Sequence, residues 1–171
     1  MEAYIRMGNE SVIAPSYVLN QLILKGMHRT YDELISEYDF KDYAFYKLRE
    51  RYKAWTGNSM EEKLFDSFDM RDENGKLTNA GALLADDSPI RHSRLFCTHW
   101  NGLDKNGGMV DALDSAEYSG SLIILLNEGV GFVKRNMKTR WKKTADSRIE
   151  MPDYCERSVF EALVNALIHR D

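Results

Sequence analysis

The sequence predicts an α+β fold on three observations. Apolar residues recur at helical spacing in long stretches such as Ser119 to Met137, short stretches such as Arg94 to Trp100 alternate as half-buried strands do, and the two kinds follow one another in no regular βαβ order. The 171 residues are 43% apolar and 29% charged, with three prolines and no low-complexity run, a composition that builds a core rather than a disordered or fibrous chain. A chain of this length accommodates one ordinary domain, or one domain with pieces of its neighbours.

The elements follow in order. Ala3 to Met7 is a β-type run closed by Gly8-Asn9, and Pro15 suits the first position of a helix carrying Val18, Leu19, Leu22 and Ile23 and stopped by Gly26. Thr30-Tyr31-Asp32-Glu33 reads as a capping box opening a short second helix. Tyr43, Phe45, Tyr46, Leu48, Tyr52 and Trp55 form an aromatic-rich helical stretch from about Phe40 to Trp55, read as core rather than as a base-stacking platform and ended by Gly57. Ser59 to Glu62 is another capping box, opening a helix through Leu64, Phe65 and Phe68, and Asp72 to Gly75 is a turn. Lys76 to Ala85, small and apolar, suits a tightly packed helix with Thr78 near its cap. Arg94 to Trp100 is a strand, Met109 to Leu113 another beyond a glycine-rich loop, and Thr139 to Ile149 alternates in strand fashion. The last helix follows Pro152, with Asp153 as N-cap and Glu156 as its reciprocal partner.

Several functional classes are excluded or disfavoured. The longest apolar run, Leu122 to Leu126, is far short of the roughly 20 residues a bilayer crossing needs, so no membrane span and no membrane partner is expected. Met1 to Gly8 lacks the pattern of a secretory signal, which leaves the cytoplasm as the expected compartment. Cys97 and Cys155 cannot build a disulfide framework and read as reduced, buried structural residues, and Cys97-Thr98-His99 has no zinc-ligand spacing. A net charge of −4 argues against a surface built wholly to sit on phosphate.

The last helix carries the chemistry. Val159, Leu163, Leu167 and Phe160, Val164, Ile168 form its buried faces, while Glu161 and Asn165 stand together at i, i+4, which on a helix brings Cβ atoms to about 5–6 Å. An amide oxygen is a hard ligand for Mg²⁺, and a carboxylate beside it can orient or deprotonate water attacking a γ-phosphate. A solvated polar pair on a helix face has the same spacing.

Glu161-Ala-Leu-Val-Asn165-Ala-Leu-Ile-His169-Arg170-Asp171 resembles the N-box of the GHKL ATPase superfamily, whose members include gyrase B and the histidine kinases. Its His-Arg-Asp ending is similar to the variant in a family of bacterial predicted transcriptional regulators that join an N-terminal Schlafen-type, Alba-like DNA-binding domain to a divergent GHKL-like ATPase domain. Ile5 to Gly8, Gly75 to Gly81 and Pro152 to Tyr154 fit the same family in the same order. The resemblance implies that Glu161 is catalytic, that Asn165 holds the metal, and that Asn165, His169 and Arg170 neighbour the bound nucleotide. It implies an internal fragment in which residues 1–12 are the last strand of the Alba-like domain, 13–90 a mainly helical connector, and 91–171 the first part of the ATPase-like domain, ending in the N-box helix. The adenine pocket and phosphate lid would follow Asp171, and most of the DNA-binding domain would precede Met1. Mg-ATP is therefore expected in the full-length parent and none on this fragment, which is not expected to be an enzyme by itself. The parent would couple nucleotide binding to DNA binding, act at most as a weak ATPase, and could work as a homo-oligomer.

Lys134, Arg135, Lys138, Arg140, Lys142, Lys143 and Arg148 crowd a short stretch opposed only by Asp146. Lys138, Arg140 and Lys142 would share one face of a strand. That stripe offers the alternative of a non-specific nucleic-acid-contacting module, and a solvated or edge-protecting face is the plainer reading. A protein-interaction or dimerisation segment is the remaining alternative.

Overall fold

The computed structural model describes residues 3–102 and 111–169. In chain order the elements are β1 (Tyr4–Met7), β2 (Glu10–Ile13), α1 (Ser16–Gly26), β3 (Ile35–Asp39), a 3₁₀ turn (Phe40–Asp42), α2 (Tyr46–Thr56), α3 (Lys63–Ser67), β4 (Lys76–Thr78), α4 (Asn79–Leu84), β5 (Arg94–Trp100), β6 (Ala112–Ser119), α5 (Leu122–Asn136), β7 (Thr139–Lys143), β8 (Arg148–Pro152) and α6 (Glu156–Ile168). The strands pair antiparallel in four two-stranded sheets, β1–β2, β3–β4, β5–β6 and β7–β8, so the fold is α+β. Among the described residues no helix is long and apolar enough to cross a membrane. The chain divides into two units, one made of residues up to Asp42 with Glu61–Ala82, the other of Tyr43–Met60 with the residues from Leu83 onward.

In the first unit the opening segment is a hairpin rather than a lone strand. Gly8, at φ 62, supplies the positive dihedral that its two-residue turn requires, and Met7 pairs with Glu10. Pro15 is the N-cap of α1. The expected second helix at Thr30–Glu33 does not form. Its backbone is used elsewhere: Asp32 and Leu34 carbonyls accept from Ala80 N (3.1 Å) and Asn79 N (2.8 Å), satisfying the free amides at the start of α4, and the chain runs on into β3.

Lys76 to Ala85 splits into β4 and α4. Thr78 is the joint, as its place near the cap suggests: its Oγ1 accepts from Gly81 N (3.1 Å) and donates to Asp69 O (2.8 Å). Gly81 has no room for a side chain, since a Cβ there would lie 2.1 Å from Met70 O. Phe65, Leu77, Met70 and Ala82 form the core beneath, with Phe40 edge-on to Phe65 at 5.0 Å. The Ser59–Glu62 capping box supplies no side-chain cap to α3, because Glu62 binds Arg71 (2.8 Å) instead. Arg71 also holds Asp66 through two bonds (2.6 and 3.1 Å) and lies 4.4 Å above the Phe40 ring.

In the second unit α2 starts later than the sequence suggests. Tyr46 N and Lys47 N donate to the Asp86 carboxylate (2.7 and 3.1 Å), a cap delivered from 40 residues away, and Gly57 ends the helix at φ 74. The aromatic stripe is core only in part: Phe45 is buried, whereas Tyr46 and Trp55 are 74% and 71% exposed. β6 alternates in burial from Ala112 to Ser119, longer than the strand expected at 109–113, of which residues 109 and 110 lie outside the described residues. Gly120 turns the chain, and Ser121, fully buried, caps α5 by accepting from Ile124 N. α5 packs on β5, β6 and α6. At Gly129 the approach is so close that a Cβ would meet Leu95 of β5 at 2.9 Å and Leu163 of α6 at 3.1 Å.

Candidate functional site

Helix α6 begins two residues later than an Asp153 cap would set it. Pro152 is still in β8, so the chain needs Asp153 to Cys155 to turn, and Cys155 is the N-cap. Asp153 binds the hairpin instead: its Oδ2 accepts from Lys138 N (3.2 Å) and its own N–H donates to Lys138 O (3.0 Å). Glu156, at the positive end of α6, pairs with Lys134 in the last turn of α5 (3.0 Å), where each charge also suits its helix dipole.

Val159, Phe160, Leu163 and Val164 are half-buried and Leu167 is buried, which seats α6 on α5. Ile168, expected on a buried face, is 62% exposed. Phe160 lies edge-on to Trp55 of α2 at 6.5 Å, with the Arg51 guanidinium 5.6 Å above it. Glu161 and Asn165 both lie on the open face, one turn apart. Glu161 Oε1 accepts from Arg157 Nε (2.8 Å), with both side chains more than half exposed. Such a pair contributes at most about 0.5 kcal/mol, and less in this order with the cation nearer the helix N-terminus, so the carboxylate leaves it easily. The Asn165 side-chain amide has no partner among the described residues, while its backbone carbonyl accepts from His169 N (2.9 Å). His169 is the exposed C-cap, and Arg170 lies outside the described residues.

An open amide oxygen beside a loosely held carboxylate is a donor set that suits a hard cation. Among the described residues no group of three or more His, Cys, Asp or Glu side chains is placed to hold a metal, so Mg²⁺ on this face would take its remaining oxygens from a nucleotide and water.

Lys138, Arg140 and Lys142 do share one face, on a hairpin rather than on one strand running from Thr139 to Ile149. The chain reverses at Thr144–Ser147, where Thr144 N and Oγ1 donate to Ser147 O (2.8 Å each). The register sets Arg140 opposite Met151, Trp141 opposite Glu150, Lys142 opposite Ile149 and Lys143 opposite Arg148. Every residue of both strands is exposed. Arg148 pairs with Glu150 (2.5 Å) and Arg140 lies 4.0 Å from Asp153, while Lys138, Lys142 and Lys143 have no carboxylate partner among the described residues.

Arg157 went unread in the sequence, and Asp153 and Cys155 take roles other than the N-cap and the buried residue that the sequence suggests. Cys155 is exposed, not buried, and amides of the α6 N-terminus, Ser158 first and then Arg157, hold its thiol below the ordinary range. Burial pushes the Cys97 thiol the other way.

The chain is similar in structure to the DIP2311 protein from Corynebacterium diphtheriae, with a TM-score of 0.58 and 18% sequence identity over 99% of this chain and 34% of that one. At this identity the likeness concerns the fold alone, and the chain spans about a third of that neighbour's length. No protein-family model and no curated protein matches the chain.

Proposed function

We propose that this chain belongs to a nucleotide-dependent transcriptional regulator of the Schlafen-type, GHKL-like kind, in which α6 is the N-box helix and Mg-ATP binding on it is coupled to DNA binding elsewhere in the whole protein. The observation that carries the reading is the placement of Glu161 and Asn165 one turn apart on the solvent-open face of a helix whose other face is seated on α5. The resemblance of residues 161–171 to an N-box supplies the ligand; the geometry leaves its two polar side chains accessible. Asn165 would offer its amide oxygen to Mg²⁺, and Glu161, once free of Arg157, would orient water. His169 and Arg170 would lie nearer the phosphates. The bound nucleotide supplies the phosphoanhydride, and hydrolysis is a separate property that neither a fold nor a motif establishes.

The test is thermal melting with Mg-ATP. The whole ATPase-like domain, extended past Asp171, is stabilised, by about 2.7 kcal/mol when ligand stands near 100 times its dissociation constant, whereas the 171-residue chain is not. Asn165→Ala removes most of that Mg-dependent stabilisation, while Glu161→Gln spares binding and slows any hydrolysis. Equal Mg-ATP stabilisation with and without the Asn165 amide overturns the N-box assignment.

A further inference from the structure

We infer that the β7–β8 hairpin binds duplex DNA in its own right, gripping phosphates through Lys138, Arg140 and Lys142, independently of any nucleotide on α6 and of any other DNA-binding domain in the parent. The hairpin is an unpartnered ribbon: both of its faces are exposed along all of β7 and β8. A two-stranded hairpin with no apolar face packed on a core is marginal in water, so the composition here is not explained by folding. Lys143 and Arg148 stand opposite each other on the far face of the ribbon, where Glu150 pairs with Arg148, so the cations left without a carboxylate on the near face, among the described residues, are Lys138 and Lys142.

Charge complementarity identifies the partner. From Lys138 to Pro152 five cations face two carboxylates, Asp146 and Glu150, in a chain whose net charge is −4, so the positive charge is concentrated on this element. Cations at every second residue from Lys138 to Lys142 recur at about 6.8 Å, with Met151 directly opposite Arg140 and Ile149 directly opposite Lys142. A two-stranded ribbon fits a major groove about 12 Å wide, and apolar side chains beside the cations can meet thymine methyl groups there. Two other polyanionic partners fit less well. A membrane-inserting hairpin would need an apolar tip, and this tip is Thr144-Ala145-Asp146-Ser147. A single-strand binder would need a row of aromatics, and the ribbon has only Trp141, opposite Glu150 on the face away from the cation row.

The experiment is fluorescence anisotropy of the 171-residue chain with a short labelled duplex at increasing salt, without nucleotide. Wild type binds with a steep salt dependence and little sequence preference. Lys138→Gln, Arg140→Gln and Lys142→Gln together flatten the slope of log K against log salt by roughly 2 to 3, since each phosphate that is no longer neutralised accounts for about 0.9. A control with the same charge change on exposed helix positions, Lys25→Gln, Lys47→Gln and Lys53→Gln, leaves the slope within error. Far-UV circular dichroism checks that both variants fold, and single Lys142→Glu gives the same direction of effect if the triple variant does not. The inference is overturned if wild type fails to bind duplex at low salt, if the ribbon variant keeps the wild-type slope, or if single-stranded DNA or anionic phospholipid vesicles bind more tightly than duplex. Because no nucleotide is present, none of these outcomes bears on the Mg-ATP melt.

Discussion

Replacing three glycines by alanine gives three different results, and the structure sets the order. At Gly81 an added Cβ would sit 2.1 Å from Met70 O and 3.0 Å from Leu77 Cδ2. The first of these atoms is backbone and cannot swing aside. Met70 O also accepts from Thr78 N (3.0 Å), and Gly81 N itself donates to Thr78 Oγ1, so moving either segment disturbs the joint between β4 and α4. Overpacking costs about 1–3 kcal/mol and the weakened Thr78–Met70 bond about 1 more, against about 1 kcal/mol gained from alanine's helix propensity. The expected net loss is about 1–3 kcal/mol, or roughly 3–10 °C in Tm. At Gly131 nothing lies within 4 Å of the added atom, and the propensity gain of about 0.5–1 kcal/mol stands alone. Gly129 falls between, because its neighbours are the movable ends of Leu95 and Leu163. Urea melts followed by circular dichroism measure all three, and because the chain has two units each transition is fitted separately. A neutral Gly81→Ala, or a Gly131→Ala that destabilises, would refute the reasoning.

Cys155 reacts with iodoacetamide faster than Cys97 at neutral pH, since amides of α6 favour its thiolate while burial disfavours that of Cys97; mass spectrometry of a time course reads the order, and Cys97 labelling first would be fatal. The Arg71 hydrogen bond holds Asp66 below the usual carboxylate range, so this pairing stabilises the fold above the ordinary pKa of about 3.9 and is lost as pH falls through the lower folded-state value. The stability difference between wild type and Arg71→Gln should therefore be constant above about pH 5 and shrink below pH 4, and a difference that grows on acidification contradicts it. Asp153→Ala should raise hydrogen exchange at β7 and β8 and leave the first amides of α6 unchanged. Faster exchange at Arg157 and Ser158 without change in the hairpin would restore the N-cap role that the sequence suggests.

What could be read in the sequence was local. Gly57 ending α2 and Thr78 capping α4 each depend on residues within a turn or two, and each is where the pattern puts it, whereas α5 buries Leu125, Gly129 and Phe132 rather than the stripe from Leu122 to Met137 that its spacing suggests. Failures occurred where a distant group wins. The Thr30–Glu33 box is a sound helix start in isolation, but its carbonyls bind amides of Asn79 and Ala80, whose arrival no local window contains. In the same way the start of α2 is set by Asp86, 40 residues on, rather than by the aromatic run from Phe40. Exposure of Trp55 was equally invisible, since helical spacing says which residues share a face and not whether anything covers it.

The candidate sites divide along the same line. Glu161 and Asn165 share a face because i, i+4 spacing on a helix allows nothing else, and the structure adds only what meets them: Arg157 on one, open solvent on the other. The ribbon shows the limit of alternation. Parity along β7 puts Lys138, Arg140 and Lys142 together whatever follows, but where β8 places its own side chains depends on the length of the turn. With two residues, Ala145 and Asp146, between the Thr144 and Ser147 pair, Arg148 falls opposite Lys143 and Ile149 opposite Lys142. One residue more or fewer would exchange the faces of β8 and set a cation, rather than Ile149, across from Lys142 or remove Arg148 from Lys143 altogether. The apolar neighbours of the cation row, on which the inferred DNA contact draws, are thus properties of the turn as much as of the strands it joins.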